Sequence, residues 1–495
     1  MRTATVWRGK TLLVLGLILG ASALAQQPKK PAQATPAVQQ QPPPPGPIRP
    51  FEFPKYLTRK LSNGLTVFVI EDHRQPVVSY ELVVNAGGAA HTVKKAGLAS
   101  MTAQLLREGT KTRSAQDIAR TIDSVGGTLT TGADDDTVQA SATVMKTSEA
   151  LGIELLADVV VNPVFKEEEI ERGMRQTLSG LQIQYTDAEY LAPVTTARVI
   201  FGEHPYGYPA EGTPETLATI KREDIVQFHG RHYSPVGAFL AIAGDVKPEE
   251  AFANAGKYFG QWKTSASVQD TVPPIPASKR GVLIIDKPDA VQTQIVVAQT
   301  AIKRSDPDYI PLLIANQIFG GSYNSRLNLK LRAREGLTYG ARSNFDTERI
   351  SGAFRVSTST RTSETARATG MLLDLLKEFR QNPVTEAELK EAKAYLIGSF
   401  ALGSETPQQV ATRVLTAAVH GLPSNYWDTY REKIQASTAE QIADAVRRRI
   451  DPEKVSIVVV GNSKEFAKGL EPFGTARTIL FSDLDFTSPD LRRAK

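Results

Sequence analysis

The tripeptide Asn162-Pro163-Val164, followed by a long helical pattern, recurs as Asn382-Pro383-Val384 before another long helix, about 220 residues later. A period of that length is too great for a solenoid and points to duplication of a whole domain. A second pair of marks agrees. The strand pattern 239–243 runs into Gly244-Asp245, and the strand pattern 455–460 runs into Gly461-Asn462. A chain of 495 residues also exceeds what one hydrophobic core serves. Two homologous domains are therefore expected.

Within each half, strands and helices come in separate runs. In the first, 65–71 and 77–84 alternate as strands. Ser114 and Asp117 form a capping box for a helix over 115–125, which stops at Gly126-Gly127. Strands over 128–132 and 137–144 flank Asp134-Asp135-Asp136, whose spacing is not that of an EF-hand loop and predicts a solvated hairpin tip. Helical patterns follow over 146–161, 166–185, 188–201, 222–233 and 248–259. The second half repeats this with strands at 281–285, 292–299, 341–345 and 352–359, and helices at 311–319 and 363–380. Such grouping predicts an α+β layer fold, not a doubly wound parallel sheet.

Arg2, Arg8 and Lys10 precede the apolar run 11–21, and Ala23-Leu24-Ala25 offers an A-x-A cleavage site. Residues 1–25 are expected to be a signal peptide cut after Ala25, the alternative being an uncleaved anchor. Residues 26–50, rich in Pro and Gln, form an expected flexible linker. The N-terminal domain is then 51–262. A second linker, 263–278, carries Pro273-Pro274 and Pro276, and the C-terminal domain is 279–495. No later segment reaches about 18 consecutive apolar residues, so no membrane span is expected after cleavage. In a bacterial source the product is expected to be exported, to the periplasm or beyond. A net charge of +5 with no long basic run argues against a nucleic-acid partner. The absence of Cys excludes disulfides, thiolate zinc sites and a Cys nucleophile.

The stretch 97–110, GLASMTAQLLREGT, places Leu98, Met101, Leu105 and Leu106 at helical spacing. Its G-L-A…L…G-T frame resembles the pitrilysin/insulinase family of zinc peptidases. The H-P-Y-G turn at 204–207, the Gly244-Asp245 strand end and the domain repeat strengthen the resemblance. In that family the frame holds H-x-x-E-H, two His one turn apart binding zinc and a Glu polarising the attacking water. Ser100, Ala103 and Gln104 stand at those positions here. The family's third ligand is a Glu on the long helix that here covers 166–185, and the matching position is Gly180. Both nitrogen ligands, the base and the carboxylate are missing together. No catalytic residue, no metal ligand and no cofactor are expected in this chain. Of the six His (73, 91, 204, 229, 232 and 420), only His229 and His232 are close, as H-x-x-H. Phe228 and Tyr233 beside them favour a packing helix over a metal site.

One family feature remains. The stretch 331–339, LRAREGLTY, is similar to the family's L-R-x-x-x-G-L-x-Y. The resemblance implies that Arg332 and Tyr339 project into a substrate chamber, hold the substrate backbone and help stabilise an oxyanion. A guanidinium gives forked donors to carbonyl oxygens, and a phenol is a neutral donor that can be aimed where charge develops. The alternative is a surface Arg with a half-buried Tyr at a helix-to-strand junction. The resemblance implies two α+β domains, each an antiparallel-rich sheet packed with helices, enclosing a cavity. It further implies a non-catalytic subunit that binds peptide or unfolded protein and completes the site of a zinc-bearing paralogue, zinc residing only in that partner. The alternative is a peptide-binding or scaffold protein with no peptidase partner.

Overall fold

The computed structural model describes residues 51–90, 93–264, 272–382 and 384–493. The expected signal peptide and first linker, His91, residues 265–271 of the second linker and Pro383 lie outside the described residues.

Two six-stranded sheets organise the chain. The first contains β1 (Leu57–Lys60), β2 (Thr66–Glu71), β3 (Val77–Val84), β4 (Thr128–Ala133), β5 (Val138–Met145) and β6 (Phe239–Gly244), in the order β1-β2-β6-β3-β5-β4. The second contains β7 (Gly281–Asp286), β8 (Gln292–Ala301), β9 (Ala341–Thr347), β10 (Gly352–Arg361), β11 (Ser456–Gly461) and β12 (Ala476–Leu480), in the order β12-β7-β11-β8-β10-β9. Matching β2 to β7, β3 to β8 and so on to β6 and β11 superposes the two orders, as the repeat predicts. The sixth strands break the symmetry. β1 comes from the start of the half and pairs antiparallel with β2, whereas β12 comes from the end and pairs parallel with β7.

Most pairings are antiparallel. β3 meets β5 from Val77↔Met145 to Val84↔Val138, and β8 meets β10 from Gln292↔Arg361 to Ala301↔Gly352. β6 and β11, the late strands of each half, insert parallel to β2 and β7. Every residue of β11 is buried, as are five of the six in β6. A strand covered on both faces shows a continuous apolar run instead of alternation.

What covers the second face explains why. One face of each sheet packs against helices of its own half. The other packs against a helix from the opposite half. The helix Ala188–Phe201 lies on β8 and β11, with Leu191, Ala192, Ile200 and Phe201 against Ile285, Val296, Ala298 and Val458. The helix Pro407–Val419 lies on β6, β2 and β3, with Val410, Val414 and Leu415 in one core with Ile70, Val83, Ala241 and Ala243. Thr406 and Gln409 cap that helix reciprocally, with Pro407 in its first turn. The Ser114–Asp117 capping box forms as expected, Asp117 N donating to Ser114 Oγ at 3.1 Å. Clefts of about 480 and 210 Å³ open where the polar side of the helix Pro407–Val419 crosses β3, β4 and β5. Among the described residues, no helix is long and apolar enough to cross a membrane.

The acidic tip between β4 and β5 is only in part the solvated turn its composition predicts: Asp134 is exposed and Asp135 half-buried. Asp136 is buried at the seam between the halves. Its Oδ1 accepts from Tyr206 Oη at 2.5 Å, and its Oδ2 from Arg349 N, across the seam, at 2.7 Å. The backbone N–H groups of Gly87, Gly88 and Ala89 donate to the carbonyls of Asp136, Asp134 and Asp135. Carbonyls and a carboxylate that all accept hydrogen bonds from protein donors can be buried. Those donors lie far away in sequence and were invisible to a local reading.

Candidate functional site

The degenerate motif occupies the helix Leu98–Leu105. Gly97 starts it at φ +95, and a Cβ there would lie 2.8 Å from Glu211 O. Only glycine allows the helix to begin this close to the loop that follows the H-P-Y-G turn. The same loop takes the first motif position: Ser100 Oγ donates to Ala210 O at 2.6 Å. Ala103, where the family has its general base, is 0% exposed. Leu98, Ala99, Met101, Thr102 and Leu105 are buried around it.

The helix packs between β4, the helix Arg222–His232 and the helix Glu167–Gln184. A Cβ on Gly173 would sit 3.6 Å from Met101 Sδ and 3.8 Å from Leu105 Cδ2. Gly180 follows two turns later, on the face of that helix turned toward the motif. This supports the register that assigns it to the third ligand. A Cβ on Gly180 meets nothing within 4 Å. The four positions thus hold a hydroxyl committed to a carbonyl, a buried methyl, a neutral amide and no side chain. This donor set does not fit zinc. Among the described residues no group of three or more His, Asp or Glu is placed to hold a metal ion.

The H-x-x-H pair is built into packing. His229 Nε2 bonds to Val160 O at 2.8 Å, and its ring lies 4.4 Å from Tyr233 and 5.4 Å from Phe165. Burial lowers its pKa, which keeps the ring neutral. His232 lies against Phe228. His204 is buried too, accepting from Tyr206 N.

The Arg332–Tyr339 stretch is held quite differently. Residues Asn328–Arg334 form a π-helix, a wide turn frequent at functional positions. Leu331 and Leu337 are buried anchors, joined by Leu337 N donating to Leu331 O. Between them Glu335 pairs with Lys330 and Arg367. Thr360 Oγ1 donates to Leu337 O, and Thr358 Oγ1 to Thr338 Oγ1, tying the segment to β10. The segment is thus fixed to the sheet, and Arg332 and Tyr339 stand on it. Arg332 is half-buried, its guanidinium 4.5 Å over the ring of Tyr323. Tyr339 is 86% exposed, immediately before the edge strand β9. The reading of a surface Arg beside a half-buried Tyr inverts the observed arrangement. Among the described residues, the ring under Arg332 is that of Tyr323, not of Tyr339. Tyr323, 70% exposed, was not singled out from the sequence. Its signal was an isolated aromatic two residues past the Gly320-Gly321 loop.

Comparison with known proteins agrees with this geometry. The profile of the insulinase family, peptidase family M16, matches residues 66–209, and that of the M16 inactive domain matches residues 219–396. The chain belongs to the insulinase (M16) family. Among its M16 relatives is the non-peptidase homolog YmxG of Helicobacter pylori, 27% identical over 83% of this chain and 95% of that protein. An uncharacterized zinc protease of Mycobacterium leprae is 27% identical over 81% of this chain and 90% of that one. A crystal structure of an M16 inactive domain from Pseudomonas fluorescens aligns with TM-score 0.77 and 26% identity, covering 82% of this chain and 98% of that one. This chain therefore has the M16 peptidase-like fold of the inactive type, with the zinc motif degenerate.

Proposed function

We propose that this protein is the non-catalytic subunit of an exported M16-type peptidase. It binds extended peptide and completes the site of a zinc-bearing partner chain. One contrast carries the reading. The motif helix has given up every metal ligand and packs as core, while Tyr339 stands 86% exposed on a segment fixed by buried leucines. An exposed phenol contributes little to packing and is free to meet a ligand. Arg332 would clamp a substrate carbonyl, and Tyr339 would present its hydroxyl to a developing oxyanion. Ala341 N and Ser343 N of the adjacent edge strand β9 already donate to Asn328 Oδ1 and Gly320 O, so an extended chain would pair with this edge only beyond Ser343. Zinc would reside in the partner alone. The basic, apolar and A-x-A segments of residues 1–25 support a periplasmic or secreted location.

The test is native purification with metal analysis and identification of whatever co-purifies. The expected result is a stable complex with an H-x-x-E-H chain, one zinc per heterodimer, and no zinc or proteolysis in this chain alone. A protein that binds peptide but never co-purifies with such a chain would place it among peptide-binding scaffolds.

A further inference from the structure

The second half holds a cleft of about 660 Å³ between the start of the helix Tyr309–Phe319 and the helices Tyr430–Ala436 and Ala439–Arg449. Its size suits a small organic ligand. Leu422 and Pro423 give it an apolar wall, and Tyr309 and Tyr426 an aromatic one. Lys433 lines it from an exposed position, while Arg304, also in the lining, is only 8% exposed.

Arg304 is the unusual member. A guanidinium stays charged at every physiological pH, and burying one without an opposite charge is costly. The nearby carboxylates are already engaged: Asp308 with Arg448 and Arg449, Asp306 with Arg449, and Asp444 with Arg447. What holds Arg304 is aromatic. Its guanidinium lies 3.6 Å from the ring centre of Tyr309, 5.4 Å from that of Tyr426 and 5.9 Å from that of Trp427. Stacking satisfies the face of the guanidinium but cannot by itself take up an edge N–H donor. Nη1 of Arg304 is buried with no hydrogen-bond partner among the described residues. Arg413, stacked 5.2 Å from the Trp427 ring, adds a second cation to the same aromatic cluster.

We infer that this cleft binds a monocarboxylate carried on an apolar body. The carboxylate is drawn to Arg304 and Lys433, and the body lies on Leu422, Pro423 and Tyr426. A single negative charge matches what is missing. A free acid and the C-terminus of an apolar peptide share this chemistry. The inference uses no residue of the Arg332–Tyr339 segment and stands apart from the partner role proposed above.

The test is calorimetric titration of the full chain with octanoate, octanamide, and an N-acetylated leucine tripeptide bearing a free or an amidated C-terminus. Binding of octanoate or of the free-acid tripeptide is expected, and which of the two binds identifies the source. The matching amide should bind at least about 10-fold more weakly, the loss of one charge-assisted contact. Arg304→Gln should abolish the preference for acid over amide. Should that variant not fold, Ala436→Trp fills the cleft from an exposed position and must abolish binding, while Lys433→Ala weakens it several-fold. Absence of binding by either acid, equal binding of acid and amide, or unchanged binding by Ala436→Trp would overturn the inference.

Discussion

The motif helix of the first half and the Arg332–Tyr339 segment of the second occupy comparable settings. Each lies beside an edge strand of its sheet, β4 in one case and β9 in the other. They have been used in opposite ways. In the motif helix Ala103 is sealed at 0% exposure and Ser100 is committed to the carbonyl of Ala210. In the other segment the apolar residues are buried so that Arg332, Tyr323 and Tyr339 can stand outward. When a site loses its chemistry, its positions become packing. Under the proposed function, Arg332, Tyr323 and Tyr339 are where substrate would dock.

The comparison can be broken most sharply at Ala103. A carboxylate at this buried position has no partner, so Ala103→Glu should destabilise by about 3–5 kcal/mol. A denaturant melt with little change would show that the motif helix is more open than its packing implies. Adding Ser100→His, Gln104→His and Gly180→Glu should recover stability in zinc, if the register set by Gly173 and Gly180 holds.

At the other region the effect should be kinetic. In a reconstituted complex Tyr339→Phe should lower kcat by about 10²–10³ and leave the melting temperature unchanged, because only an exposed hydroxyl is lost. Arg332→Ala should act mainly on KM. Unchanged kinetics in an assembled complex would make the two regions equally inert.

The seam between the halves supplies a pH test. Burial, reinforced by Asp136 and Asp134, raises the Glu348 carboxyl to about 7 from its ordinary 4.5. The folded protein therefore holds this proton more tightly than the unfolded chain. The stabilisation is complete below about pH 4.5 and is lost as the pH rises through about 7. Its size is on the order of 3 kcal/mol. Thermal melts between about pH 5 and 8 should show the decline, and Glu348→Gln should flatten it.

The smallest effect is expected at Gly180. It lies inside a helix with open space where a Cβ would stand, so Gly180→Ala should stabilise by about 0.5–1 kcal/mol. A loss would mean the missing side chain is itself required.

Much of this architecture was legible locally. The Asn-Pro-Val repeat foretold two matching sheets, the Ser114–Asp117 box marked a helix start, and the G-L-A frame located the motif helix. What escaped depends on distant partners. β1 and β12 are short edge strands in which nearly every residue is exposed, so they carry no alternating apolar signal. The burial of Asp136 needs Tyr206 and Arg349. The π-helix under Arg332 and the ring of Tyr323 beneath it depend on tertiary geometry. That each half covers the other's sheet is written in no single segment, because an amphipathic helix does not name the face it will meet.

That exchange has a consequence during synthesis. The first sheet is complete once β6 ends at Gly244, yet its covering helix ends only at Val419, about 175 residues later. At translation rates of about 5–20 residues per second, one apolar sheet face stays bare for roughly 10–35 s. In that interval the same helix from a neighbouring chain could fill it, and a swapped dimer would form. Shielding that face until residue 419 has emerged would favour the unswapped fold over the swapped dimer.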